Sequence, residues 1–198
     1  MRTLKKLAWV EMKLFVREPI TMVLTFALPI IFLFVMGVVF RNTPDPEGNI
    51  YRGVGPMDYY VSAYIGLVMT SIGVVGLPVH LTAYRERGIL HRFRASSIPV
   101  WSVFGSQLVI SLIIAILGGI LLTLVALFTY DASLPQSPGL LELAFLLSII
   151  CFTALGVLLG AICPTTRAVQ GLGLILFFVM LILTGAGPPR EVMTDAMQ

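Results

Sequence analysis

A chain of 198 residues that is 58% hydrophobic and only 12% charged carries about half the charge of an ordinary soluble domain, too little to cover a water-facing surface of this size. With a mean hydropathy of +0.97 the composition excludes a soluble globular fold and points to a membrane protein, in which lipid solvates the apolar side chains. The formal net charge of +3 acquires meaning only once its cations are placed along the chain.

The N-terminal stretch, 1–19, reads as a basic amphipathic helix. Leu4, Leu7, Leu14 and Phe15 fall on one side at 100° per residue, and Lys6, Lys13 and Arg17 fall on the other. Glu11 interrupts the apolar side. With Trp9, such a helix is expected to lie in the membrane interface. Pro19 suits the first turn of the span that follows.

Five segments are long and apolar enough to cross a bilayer, which takes about 20 residues. They fall at about 20–40, 59–81, 103–128, 140–162 and 168–187. The first is longer than a signal-peptide core and has no small-residue cleavage site after it, so it reads as a retained span. Pro29 and Pro78 lie inside spans and should kink them. Small residues recur every fourth position at Ser62, Gly66 and Thr70, at Ser111, Ala115 and Gly119, and at Gly156 and Gly160. Such stripes let helices approach closely. The expected fold is therefore all-α, a polytopic bundle of five transmembrane helices with an interfacial helix before it, forming a single domain over 1–198.

The connections sort the cations. Arg2, Lys5, Lys6, Lys13 and Arg17 precede the first span, Arg85, Arg87, Arg92 and Arg94 follow the second, and Arg167 follows the fourth. The alternate side holds Arg41, Arg52 and Arg190, a split of ten against three. The positive-inside rule then places the N-terminus and the 84–99 loop in the cytosol, and 188–198 outside.

Much chemistry is missing. Every lysine lies before residue 14, and no Gly-x-x-x-x-Gly-Lys occurs, so the chain has no P-loop for ATP. His80 and His91 are eleven apart without a His-Glu-x-x-His pattern, which argues against a metal site. Glu142, near the outer boundary, is the carboxylate nearest a span, and no ionisable group falls in the bundle core as an ion-coupled carrier would require. Cys151 and Cys163 are twelve apart in one helical run, roughly 18 Å, too far for a bridge. The chain reads as a passive membrane component or one driven by a partner. The sequence 84–99, YRERGILHRFRASSIP, is the best place for that partner to act.

Four places give the whole chain a family resemblance. They are Arg17 to Pro19 after the amphipathic stretch, the run YRERGIL with Glu86, Gly88 and Leu90 followed by Pro99 and SSIPVWSVFGSQL, the turn AICPTTRAVQG, and the outer segment LTGAGPPREVM. In that order and spacing they resemble the membrane subunit of ABC-2 type exporters. The resemblance implies a permease at the plasma membrane that works with a separate ABC ATPase subunit, on which ATP and magnesium would be bound. This chain itself is expected to bind no cofactor, to be no enzyme and to contact no nucleic acid. A second permease copy, identical or related, is also implied.

The same resemblance makes 84–99 a coupling loop on the ATPase, with Tyr84, Arg85, Glu86, Arg87, Gly88, Leu90, Arg92, Phe93 and Arg94 as its contact residues and Ile89 in the apolar contact. It implies a substrate path along the second and fifth spans, to which Thr70, Gly73, Gly171, Phe177 and Phe178 are assigned. The cargo class is a hydrophobic or amphipathic compound, such as a drug-like molecule, a lipid or a glycan. It also implies a sixth span, so the end at Gln198 reads as a truncation. The alternatives are a non-transporting assembly or anchoring protein and a fragment of an ion-coupled carrier.

Overall fold

A computed structural model describes residues 2–40, 51, 55–90, 100–132 and 138–187. The described residues form a helical bundle with five membrane-crossing candidates. Helix α1 is Arg2–Val16, α2 is Pro19–Phe40, α3 is Pro56–Glu86, α4 is Val100–Tyr130, α5 is Pro138–Ile162 and α6 is Thr166–Leu183. Four of the spans run a little beyond the apolar segments read from sequence, because helices continue past the hydrocarbon. The last ends earlier, at Leu183 rather than 187, because Gly185 takes φ 76° and the amides of Thr184 and Gly185 turn back onto the carbonyls of Met180 and Ile182.

α3 is the axis of the bundle. Its apolar stretch is 72% buried, against 22–39% for the other spans, and α2, α4, α5 and α6 all pack on it. α5 and α6 pack on α3 rather than chiefly on each other. α1 lies against α4. Among the residues whose burial is described, its buried stripe follows the side expected from sequence, with Glu11 included in it. Glu11 and Phe15 are buried, Leu14 is half-buried, and Trp9, Val10 and Val16 are exposed beside Lys13, whose ammonium sits 5.5 Å over the Trp9 ring. Phe15 meets Phe26 of α2 edge to face at 6.2 Å.

Both span prolines follow π-helical segments, Val23–Ala27 before Pro29 and Ser71–Gly76 before Pro78. A proline supplies no N–H to the preceding turn and its ring crowds the carbonyl there; one widened turn relieves both. The two widened turns meet. Ser71 gives its hydroxyl proton to the Val68 carbonyl at 2.8 Å and so accepts from the buried Thr25 hydroxyl, also at 2.8 Å.

Pro78 offers no N–H to the turn before it, and two glycines of neighbouring helices face the carbonyls of Gly73 and Val74 in that turn. A Cβ on Gly156 of α5 would overlap the Gly73 carbonyl, and one on Gly173 of α6 would overlap that of Val74. Backbone approach this close is what small-residue stripes provide in lipid, and it suits weak Cα–H···O contacts. One turn on, a Cβ on Gly160 would stand 3.0 Å from Leu81 and 3.2 Å from the Pro78 carbonyl. The expected close approach at Gly156 and Gly160 is thus present. At Gly66 nothing lies within 4 Å, so no close backbone approach is made at that glycine among the described residues.

These two sites predict opposite outcomes. Gly156→Val should lower the thermal stability of the detergent-purified protein by about 1–3 kcal/mol, the usual cost of overpacking. Gly66→Val should stay within about 0.5 kcal/mol, as for an open surface position. Equal melting shifts for the two would contradict the crossing described.

Candidate functional site

A cluster of polar and charged side chains forms where α3 ends. Tyr84, Arg85 and Glu86 are consecutive, so their side chains leave the helix about 100° apart and fan over more than half its circumference. Each reaches a different helix. The Tyr84 hydroxyl donates to Glu11 Oε1 of α1 at 2.7 Å, and both residues are buried. Arg85 Nη1 lies 2.8 Å from the Gly160 carbonyl, 2.6 Å from that of Ala161 and 3.2 Å from that of Cys163. Glu86 accepts from the Thr166 amide at 2.9 Å through Oε1 and from the Thr166 hydroxyl at 2.8 Å through Oε2.

The last two residues grip the two ends of one turn. α5 stops at Ile162 and α6 starts at Thr166, with Pro164 between them to prevent one continuous helix. The final carbonyls of α5 and first amides of α6 have no partner within their own helices. Leu159 O takes the Cys163 amide, Gly160 O and Ala161 O take Arg85, and Gly160 O also takes the Thr82 hydroxyl at 3.3 Å. On α6, Thr165 caps the Ala168 amide at 3.2 Å and Glu86 takes that of Thr166. The charges also match the helix dipoles, a cation at the C-terminus of α5 and an anion at the N-terminus of α6.

Beyond Glu86 the chain turns sharply. The Arg87 amide bonds Ala83 O at 3.0 Å and the Gly88 amide bonds Arg85 O at 3.1 Å, and Gly88 takes φ 66°. Gly88 has open space around it, so it serves the turn and not a close approach. Arg87 is exposed, and Ile89 and Leu90 are half-buried. Arg92, Phe93 and Arg94 lie outside the described residues. On the neighbouring side, buried His80 Nε2 stands 3.8 Å from Glu18 Oε2, which also accepts from Thr21 at 3.0 Å.

The residues assigned to a substrate path do not share one surface. Thr70 is buried and bonded to the Gly66 carbonyl at 2.9 Å, Gly73 sits against Phe152 of α5, and Phe177 is buried. Gly171 has open space beside it and Phe178 is half exposed, both on the outer face of α6. A separate open groove of about 700 Å³ runs between α3, α4 and α5, lined by apolar residues such as Ile65, Ile116 and Phe145, with Glu142 its one charged lining residue. Among the described residues no group of His, Cys, Asp and Glu is placed to hold a metal, and both cysteines are free thiols.

Sequence reading marked Arg85 and Glu86 as contact residues for a partner, and the structure gives them partners within the bundle: Arg85 on carbonyls of α5 and its turn, Glu86 on Thr166. The neighbours of Glu86 in sequence are arginines, but its hydrogen bonds go to Thr166, 80 residues on. Pro164 and Thr165 do announce a helix stop and start, but nothing local says which residue closes them.

The fold and this polar end define a multi-pass helical membrane protein in which the charged end of α3 ties four helices together. The chain belongs to the ABC-2 type transporter family, whose model matches residues 2–198. No curated protein and no solved structure matches it. Membrane subunits of this family typically work with ABC ATPase subunits.

Proposed function

We propose that the chain is the permease subunit of an ATP-driven exporter of hydrophobic or amphipathic compounds, with the charged end of the bundle in the cytosol and facing the ATPase. Family membership supports the transport role. The observation that carries the coupling site is the bonding of Arg85 and Glu86 to the α5–α6 turn, because it brings the chain's two basic connections, after α3 and after α5, to one place. In this reading Tyr84, Arg85 and Glu86 turn inward to the bundle. Arg87, Leu90, Arg92, Phe93 and Arg94 meet the partner beyond the Gly88 turn. The exposed face of α6 with Gly171 and Phe178 lies toward a second permease copy and the cargo.

Orientation follows from the split of cations, ten against three. Single cysteines at positions 47 and 92, in a chain with Cys151 and Cys163 replaced, should react oppositely with an impermeant thiol reagent in intact cells. Label at 47 and none at 92 is expected, and the reverse overturns the orientation. The function itself is tested by co-purification with an ABC ATPase and by efflux of a lipophilic dye that needs both chains. A permease that never retains an ATPase would end this reading.

A further inference from the structure

We infer that Arg85 and Glu86 are positioning residues that clamp the α5–α6 turn to the end of α3, so that a push on the loop after Glu86 moves α3, α5 and α6 as one body. The inference rests on the proposed function for the source of the push. The clamp stands on geometry alone. A single Nη1, with two protons, serves three carbonyls of α5 and its turn, and one carboxylate takes both donors of Thr166. Such charge-assisted bonds are roughly twice as strong as neutral ones. Both ions also face the helix pole of opposite sign.

At the turn the clamp adds to packing on α3, where Gly160 stands against Leu81 and the Thr82 hydroxyl reaches the Gly160 carbonyl at 3.3 Å. α5 and α6 pack on α3 rather than chiefly on each other. The contact nearest the turn is a small apolar cluster of Val79, Cys163 and Val169. Both clamp residues are exposed at the mouth of the bundle, and Glu86 lies one residue before Arg87 and two before the Gly88 turn. A displacement there reaches the ends of α5 and α6 through bonds rather than through lipid. Tyr84, the residue before, carries the same displacement to α1.

The native thiol of Cys163 reports on the clamp. It is buried in the turn, and its own carbonyl accepts from Arg85 at 3.2 Å. Cys151→Ala leaves it as the one thiol. In membranes holding the full chain and no ATPase, N-ethylmaleimide should modify Cys163 about tenfold faster or more in Arg85→Gln and Glu86→Gln, as local opening of that turn becomes easier. Arg85→Lys should fall between, because an ammonium keeps the charge but lacks the guanidinium fork. Thr166→Val, which keeps the amide donor and folds without a charge change, should also fall between. With the ATPase present, Glu86→Gln should bind it in unchanged amount and allow ATP hydrolysis, yet lose most of its export, because the push then no longer reaches α6 through bonds.

Cys163 equally protected in all four variants would show that packing alone holds the turn. Exposed Cys163 with full export would show a clamp that transmits nothing. Loss of ATPase binding in Glu86→Gln would make it a direct contact. Each of these overturns the inference. Failure of the unaltered permease to bind any ATPase would strike the proposed function instead, and the thiol rates would still decide the clamp.

Discussion

Tyr84→Phe should release α1 from the bundle. The substitution removes one oxygen, but that oxygen donates at 2.7 Å to a Glu11 side chain that is only 2% exposed. A carboxylate buried there and deprived of this donor costs about 1.5–3 kcal/mol, the range for hydrogen bonds to charged groups. α1 is the element that can leave, since it is joined to α2 through Arg17 and Glu18 and packs mainly on α4. Trypsin cleavage after the exposed Lys13 should therefore quicken by about tenfold to a hundredfold, because cleavage needs the helix to open locally. Glu11→Gln keeps an acceptor for the phenol and removes the buried charge, so its effect should be smaller. Glu11→Met combined with Tyr84→Phe removes both ends of the bond and should recover most of the protection, since an apolar pair of similar volume commonly replaces a buried polar one at little cost. A double variant cleaved as fast as Tyr84→Phe alone would show that the pair does not hold α1.

This pair also shows where sequence reading stops. The spans were legible because lipid imposes a rule that acts on each segment alone: about 20 apolar residues, with every backbone polar group satisfied inside the helix. The prolines were legible for the same reason, and the structure adds that Pro29 and Pro78 are accommodated by π-helical turns. Glu11 was not. A periodicity rule scores it as a flaw on the apolar side of α1, because the phenol that satisfies it arrives from 73 residues away. Glu86 and Thr166 are 80 apart, and a carboxylate beside four arginines gives no sign that its partner is a helix N-terminus. The glycine stripes lie between these cases. The spacing at Gly66 and that at Gly156 look alike in sequence, but only Gly156 meets another backbone. Gly156 and Gly173 meet α3 at the π-helical turn before Pro78, a feature that neither stripe announces.

Gly88→Val should lower export by about tenfold while leaving insertion and most of the stability intact. At φ 66° an L residue pays about 1–2 kcal/mol, and β-branched side chains are the poorest fit. Nothing lies within 4 Å of the position where a Cβ would stand, so the cost is one of backbone conformation and not of space. The helix end is exposed and can escape the strain by unwinding or by running on past Arg87, which spares the bundle. Either escape redirects the chain from Ile89 onward and carries the arginines of the loop away from the end of α3. A penalty of this size shifts the native turn to the minority by about tenfold, and export should fall in proportion if that loop is where the ATPase acts. The order of residues makes the mechanism testable. Gly88→Asn should retain most activity, because asparagine tolerates the left-handed region, Gly88→Ala should be intermediate, and Gly88→Val should be worst. Efflux would be measured beside ATPase co-purification for all three. If asparagine proves as damaging as valine, side-chain space decides and the open surroundings of Gly88 are closed by the partner; if valine exports normally, the turn at the end of α3 has no part in coupling.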